Sequence, residues 1–339
     1  MAADRFGTQY DRLYVAIVTP YDREGNVDEA ALRKNLQYFM QPKFVDAGGG
    51  MIINPEAGEV FYLSREEKKR NVEIAVEECG GKVPIFAGVV DITTKGAIDV
   101  AVDVKAAGAD GLFLVPPVGS QDITAFWDAE NYPEYWTDII KAQVEATDLP
   151  IITHPSCGAS PFWGAGMPVG AALQICREIP NIVGWKMLYN YNAYRIVAQG
   201  LRSLDRHVAI LGAGAHIFHE SLATGYFDGT VSGFFNYAME PMIDHINAWR
   251  NKDIDEARRI WHSGLFELQQ YVASQMTRLH TKYKIATWLR GLIPNPFQRP
   301  PLPKPRKAEV ETLKRLLIKT GLPVIDEAAI REVMGQLPR

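Results

Sequence analysis

Pro150-Ile151-Ile152-Thr153-His154 and Asn181-Ile182-Val183-Gly184-Trp185-Lys186 are short apolar runs of strand type, each ending on a side chain that handles protons. Working outward, similar runs recur at Tyr14 to Val18, Met51 to Ile53, Pro84 to Val89, Gly111 to Val115, Val208 to Leu211 and Gly229 to Ser232. Helical stretches separate them. Eight strands alternating with helices is the pattern of an α/β fold closed into a (β/α)8 TIM barrel.

The connecting helices are legible from their ends. Asp28 to Met40 follows a turn at Glu24-Gly25-Asn26, and Ala101 to Gly108 closes another helix just before the fourth run. Ser64-Arg65-Glu66-Glu67 is a capping box opening a helix toward Cys79, which Gly80-Gly81 ends. After the eighth run the pattern turns helical, from Ile254 to Leu279, from Lys282 to Leu292 and from Lys307 to Thr320. Between the last two lies Arg299-Pro300-Pro301-Leu302-Pro303-Lys304-Pro305, which proline keeps out of helix. The expected organisation is a barrel over 1–250 carrying the active site and a C-terminal helical appendage over 251–339 packed on it. The proline-rich stretch reads as a packed connector, with a ligand for a peptide-binding module as the alternative.

Composition narrows the function classes. The 339 residues are 47% hydrophobic and 22% charged, enough for a large core. The net charge of −4 comes with no basic cluster, which argues against nucleic acid as a partner. Cys79, Cys157 and Cys176 cannot all pair, and none has a metal-ligand spacing, so reduced thiols in a cytoplasmic setting are expected. The opening Met1-Ala2-Ala3-Asp4-Arg5-Phe6 has no apolar core of signal-peptide length, and no stretch approaches the roughly 18 apolar residues of a membrane span. No phosphate-cradling G-x-x-x-x-G-K-[ST] occurs, and Gly212-Ala213-Gly214-Ala215-His216 reaches Ile217 where a dinucleotide fingerprint needs glycine. His216 and His219 stand at i, i+3, but Glu220 beside them favours an exposed helix start over a metal site.

Lys186 carries the functional reading. An amine following Ile182-Val183-Gly184-Trp185 is carried toward a sheet interior, where desolvation disfavours the ammonium. A neutral lysine amine attacks carbonyl carbon, and the resulting Schiff base is an electron sink without any cofactor. The alternative is a lysine that snorkels from a strand end to solvent.

At these residues the chain resembles the dihydrodipicolinate synthase and N-acetylneuraminate lyase family of class I aldolases, over nearly its whole length. The likeness is carried by Tyr14-Val15-Ala16-Ile17-Val18-Thr19-Pro20-Tyr21-Asp22, by Asn54-Pro55-Glu56-Ala57-Gly58-Glu59 and by Gly108-Ala109-Asp110-Gly111. Asn181 to Lys186 is similar to the segment bearing the Schiff-base lysine, and Gly225 to Gly233, Asn236 and Met239-Glu240-Pro241 to the eighth strand and its exit. The resemblance implies a barrel with C-terminal helices, a homo-oligomer (tetramer or dimer) and imine chemistry on a 2-oxo acid with no metal or organic cofactor. It places Lys186 at the end of the sixth strand and Ala57, Gly58, Pro116, Val231 and Ser232 around the substrate.

The departures are as informative. His154 stands where the family has a proton-shuttling tyrosine, and an imidazole does that work nearer neutral pH. Glu56 and Ala57 replace two threonines, so a substrate carboxylate must rely on backbone N–H groups around Ala57 and Gly58. A carboxylate near Lys186 would hold the ammonium and oppose imine formation unless Glu56 pairs with His154 and orients it; the alternative is Glu56 pointing to solvent. Val115-Pro116-Pro117-Val118-Gly119 lacks the tyrosine found after the fourth strand, and Ser156-Cys157-Gly158-Ala159-Ser160-Pro161 lacks the synthase branch's arginine. Phe162-Trp163-Gly164-Ala165-Gly166-Met167, with Phe126, Trp127, Tyr132 and Trp136, offers flat apolar surface for an aromatic acceptor, or else packs helices. Tyr189 is a candidate replacement for a lost hydroxyl.

The expectation is a lyase in which Lys186 forms the imine with a small-molecule carbonyl substrate, His154 moves the proton and Glu56 supports His154. The alternatives are a 2-oxo-3-deoxy sugar acid dehydratase and, from another class, an altered barrel serving as a small-molecule sensor.

Overall fold

The computed structural model describes residues 10–116 and 127–335. Eight parallel strands close into a barrel: β1 (Leu13–Ala16), β2 (Gly49–Ile53), β3 (Ile85–Val89), β4 (Gly111–Leu114), β5 (Ile151–Thr153), β6 (Ile182–Met187), β7 (Ala209–Gly212) and β8 (Gly229–Ser232). Each pairs with its sequence neighbours, and β8 closes on β1 with Tyr14 beside Val231. All eight predicted runs are strands, shifted by a residue or two at their ends.

Side chains alternate across the barrel wall with the period of two that a strand imposes. Leu13, Val15, Met51, Ile53, Ile85, Ala87, Leu112 and Leu114 belong to the core shared with the surrounding helices. Their alternates Tyr14, Ile52, Phe86, Phe113, Ile152, Leu211 and Val231 form a second cluster, which fills the lumen. Gly111 is needed there, because a Cβ would stand 2.2 Å from the Phe86 ring.

The helices begin where their caps predict. Asp28 accepts from the Ala31 amide, and Ser64 and Glu67 form the reciprocal capping box of Arg65–Cys79. The helix before β4 is longer than its sequence signal, running Thr94–Ala106 from an N-cap at Thr93.

The C-terminal helices differ from the sequence reading in their breaks. The run expected from Ile254 to Leu279 divides into Ile254–Ile260, a wide turn over Trp261–Leu265 that Gly264 permits at φ 114°, and Phe266–Ala273. The next helix starts at Leu279 rather than Lys282 and spans Leu279–Leu289, with Gly291 at φ 71° beyond its end. A final helix, Glu327–Met334, had no predicted counterpart. Leu265, Leu268, Ile285, Leu289, Leu313 and Leu317 sit in the same core cluster as the barrel's outer face. The proline-rich connector is packed too: Arg299 donates to the Gly25 and Tyr62 carbonyls and pairs with Glu67.

Between β5 and β6 the segment singled out for its aromatics forms a small antiparallel hairpin, Ser156–Ser160 with Gly164–Gly166. Trp127 and Trp136 are buried against each other and the core, and Tyr132 is exposed. Helix packing therefore claims the two tryptophans. Phe126 and Pro117-Val118-Gly119 lie outside the described residues.

Candidate active site

Residues that leave the strands at their C-terminal ends line a cavity of about 580 Å³. Lys186 sits one residue before the end of β6. Trp185 points outward, its indole N–H donating to the Tyr189 hydroxyl at 3.0 Å, so Gly184 and Lys186 point inward. A Cβ on Gly184 would meet the lumen residues Leu211 and Ile152, and glycine there leaves room below the amine. Lys186 Nζ lies 5.6 Å from the centre of the Phe113 ring, which also meets the His154 ring edge-on at 5.6 Å. Phe113 is thus the floor on which both groups rest.

Glu56 reaches the same space from the loop after β2. That loop is fixed by Asn54, whose side chain donates to the Lys68 carbonyl and accepts from Asn71, and by Thr19, which donates to the Gly58 carbonyl. Glu56 Oε2 approaches His154 Nε2 to 2.6 Å, out of line for a straight hydrogen bond but close enough for a strong charge contact. The contact points Glu56 at His154 rather than at solvent.

The electrostatics follow from burial. Desolvation pushes Lys186 down to about 8, and Glu56 opposes that shift. Burial alone would raise the Glu56 carboxyl, but His154 and then Lys186 more than offset it, so the group stays ionised. Burial also lowers His154, with Glu56 pulling the other way. The arrangement at neutral pH is a carboxylate facing a neutral imidazole, with Lys186 close to the pH at which its amine is free.

The other expected site residues separate into two groups. Ala57 and Val231 line the cavity with Lys186, His154 and Glu56. Gly58, Pro116 and Ser232 do not. The Gly58 amide donates to the Pro55 carbonyl inside a 3-10 turn, Glu56–Gly58, and is taken before any carboxylate arrives. Pro116 borders a separate small space beside Val90 and Thr93, and Ser232 donates to the Ala213 carbonyl. Tyr189 does reach the cavity, with burial raising its phenol, so it is a neutral hydroxyl. Gly164 and Ala165 bring the hairpin to the rim, while Phe162 is exposed outside.

Sequence reasoning missed His216 and His280. Both are half-buried and line the cavity, and burial holds both below the usual histidine range, His280 at about 4. His216 was read as an exposed helix start, whereas the 3-10 turn Ala215–Ile217 turns it inward. His280 falls in the supposed gap between two helices; its spacing of four from Lys284, which would put both on one helix face, was the available signal. Met276, Leu279 and Tyr283 enter from the same segment. Tyr283 takes the space over Gly233, where a Cβ would lie 2.4 Å from its ring. Among the described residues, the one His and carboxylate group close enough to share an ion is Asp11, His207 and Asp228, which precede β1, β7 and β8 at the opposite end of the barrel.

A family model described as the dihydrodipicolinate synthetase family matches residues 9–320. The chain belongs to that family. It is accordingly an enzyme, a lyase of the class I aldolase kind. A 4-hydroxy-tetrahydrodipicolinate synthase of Methanopyrus kandleri is 27% identical over 318 residues, covering 93% of this chain and 98% of the relative. A Thermofilum pendens protein named an uncharacterized DapA-like lyase is 26% identical over 311 residues, covering 91% and 96%. Among solved structures, the E. coli K12 family member YagE, crystallised in complex with pyruvate, superposes with a TM-score of 0.78 at 19% identity, covering 92% of this chain and 99% of that one. The dihydrodipicolinate synthase of Aquifex aeolicus gives 0.75 at 22%, covering 93% and 99%. At such identities these two speak for the fold. No helix among the described residues is long and apolar enough to cross a membrane.

Proposed function

We propose that this dihydrodipicolinate synthetase family lyase makes or breaks a carbon–carbon bond next to an imine formed between Lys186 and a 2-oxo acid or related carbonyl substrate. The observation that carries the reading is Lys186 in the cavity at the C-terminal end of the barrel, its pKa lowered to about 8, with an ionised carboxylate and a neutral imidazole beside it.

The steps balance on these groups. The free amine adds to the carbonyl carbon, and the carbinolamine takes up a proton from solvent and loses water, giving a protonated imine; that proton returns to solvent on the final hydrolysis. In the cleaving direction a base takes the proton of the β-hydroxyl, the C–C bond breaks and its electron pair enters the iminium to form an enamine. An aldehyde departs, the enamine carbon takes a proton, and water releases the product and restores the amine. His154, beside Lys186 on the adjacent strand, moves the proton at the enamine carbon. Glu56 holds its imidazole in place and favours the cationic form as that proton passes. The reaction as read needs no metal or organic cofactor. Assembly as a homo-oligomer is part of the proposal, and sedimentation velocity tests it.

Lining groups favour an apolar or aromatic acceptor over a polyhydroxylated one. Ile217, Phe234, Met276 and Leu279 face the space, while Ser160 and Asn190 are already engaged in holding the hairpin. A sugar acid dehydratase would need those hydroxyl-binding groups free. Incubation with pyruvate and borohydride followed by intact-mass measurement is expected to give one adduct, absent in Lys186→Ala. An adduct that persists in Lys186→Ala, or none in the native enzyme, overturns the assignment.

A further inference from the structure

The loop after β2 presents two carboxylates, Glu56 opening the 3-10 turn Glu56–Gly58 and Glu59 at its junction with the next turn, Val60–Tyr62. The C-terminal helix Leu279–Leu289 packs on the first of these turns. It presents His280 and Lys284 there, four residues apart and therefore on one face. Lys284 is fully buried, pairs with Glu59, lies over the Tyr21 ring at 4.1 Å and donates to the Phe297 carbonyl at 2.7 Å. An ion pair so enclosed fixes the register of the helix against the loop. One turn earlier, the same helix brings His280 to the cavity that Glu56 lines, near enough for the two to interact electrostatically.

Glu56 thus shares the cavity with two imidazoles. His154 comes from the C-terminal end of β5 and His280 from a helix outside the barrel, and both line the cavity that holds Lys186. A shared metal does not explain the arrangement, since the ring nitrogens and the carboxylate are not close enough together to hold one ion. Packing alone does not explain it either, because His280 is half-buried with part of its surface on the cavity. Its neighbours on the cavity wall, Met276, Leu279 and Tyr283, are apolar or aromatic, which suits the side of the site that receives the second reactant.

We propose that His280 is a second catalytic imidazole, the base that takes the β-hydroxyl proton in cleavage and the acid that returns it to the aldehyde oxygen in condensation. The proposal rests on the Lys186 reading and divides the proton transfers by place: His154 serves the donor carbon near the amine, and His280 serves the acceptor oxygen nearer the mouth. In cleavage the hydroxyl proton passes to the neutral His280 ring as the C–C electron pair enters the iminium. It leaves to solvent once the aldehyde has gone, so no external oxidant or reductant enters. Being held neutral at working pH suits His280 to begin as a base.

Two half-reactions separate the roles. Pyruvate methyl deuterium exchange in D2O, followed by proton NMR, needs Lys186 and His154 alone. Cleavage of the aldol adduct of pyruvate and benzaldehyde needs the acceptor-side base as well. His280→Gln is expected to keep borohydride trapping and deuterium exchange within about twofold of the native enzyme while cleavage falls by ~10²-fold or more. Equal losses in exchange and cleavage would make His280 structural, and unchanged cleavage would remove it from the reaction; either overturns the proposal. His280→Asn takes the place of a Gln variant that does not fold, with trapping as the measure of an intact site. Absence of trapping in the native enzyme sinks the Lys186 reading and this proposal together, whereas native trapping with normal cleavage in the variant sinks this one alone.

Discussion

Glu56 and Lys186 pull against each other, and pH makes the balance measurable. Imine formation needs the free amine, so trapping with pyruvate is expected to rise with pH and level off above about 8. Glu56 stabilises the ammonium, and Glu56→Gln removes that stabilisation, moving the rise to lower pH. A rise that stays in place or moves upward would mean the carboxylate does not act on the amine. The same substitution is expected to cut turnover far more than trapping at high pH, because His154 loses the group that orients it; equal losses would exclude that role. The lowered Lys186 value also carries a stability cost, full below pH 8 and relieved as pH climbs from there toward the ordinary lysine range, since the unfolded chain binds the extra proton over that interval. Lys186 and His154 were legible because a polar side chain closing an apolar run is conspicuous. Gly58, Pro116 and Ser232 carry no such signal, and a hydrogen bond inside a turn is invisible until the turn is seen.

At the scale of elements, the Glu59 and Lys284 contact joins the loop after β2 to the helix Leu279–Leu289. Removing one member leaves the other charged and buried, at a cost of about 3–5 kcal/mol. Lys284→Met is expected to lower the denaturant midpoint accordingly, with the double variant Glu59→Gln, Lys284→Met recovering part of the loss. A loss of only a few tenths of a kcal/mol in Lys284→Met would show the pair to be solvated. The barrel strands could be read directly, since runs of three to six largely apolar residues, most of them buried, leave little choice. The C-terminal breaks could not. Gly264 and the Ser274-Gln275 junction interrupt an unbroken helical pattern for reasons of packing against the barrel, and the wide turn at Trp261 has no marker other than its glycine. The hairpin between β5 and β6 was noticed as an insertion but not as a pair of strands, because its glycines and serines have little strand propensity.

For the whole molecule, the appendage is part of the site. Its helices share the barrel's outer core, and Met276, Leu279, His280 and Tyr283 close one side of the cavity. Heating is therefore expected to abolish borohydride trapping and the far-ultraviolet helical signal at the same midpoint. Loss of trapping at a clearly lower temperature would show that the appendage undocks first. The sequence pattern divides the chain at residue 250. It could not reveal that the active site crosses that line, because the contact between Glu56 and the helix bearing His280 spans more than two hundred residues of chain.

Tyr14, Ile52, Phe86, Phe113 and Ile152 plug the lower barrel, so traffic is confined to the end where Lys186 stands. A donor bound to that amine occupies the bottom of a blind well, and any acceptor must settle on top of it. On the proposed function, bisubstrate kinetics are expected to follow a compulsory sequence, the ketone first in and last out, with an excess of aldehyde blocking the well before the ketone can arrive.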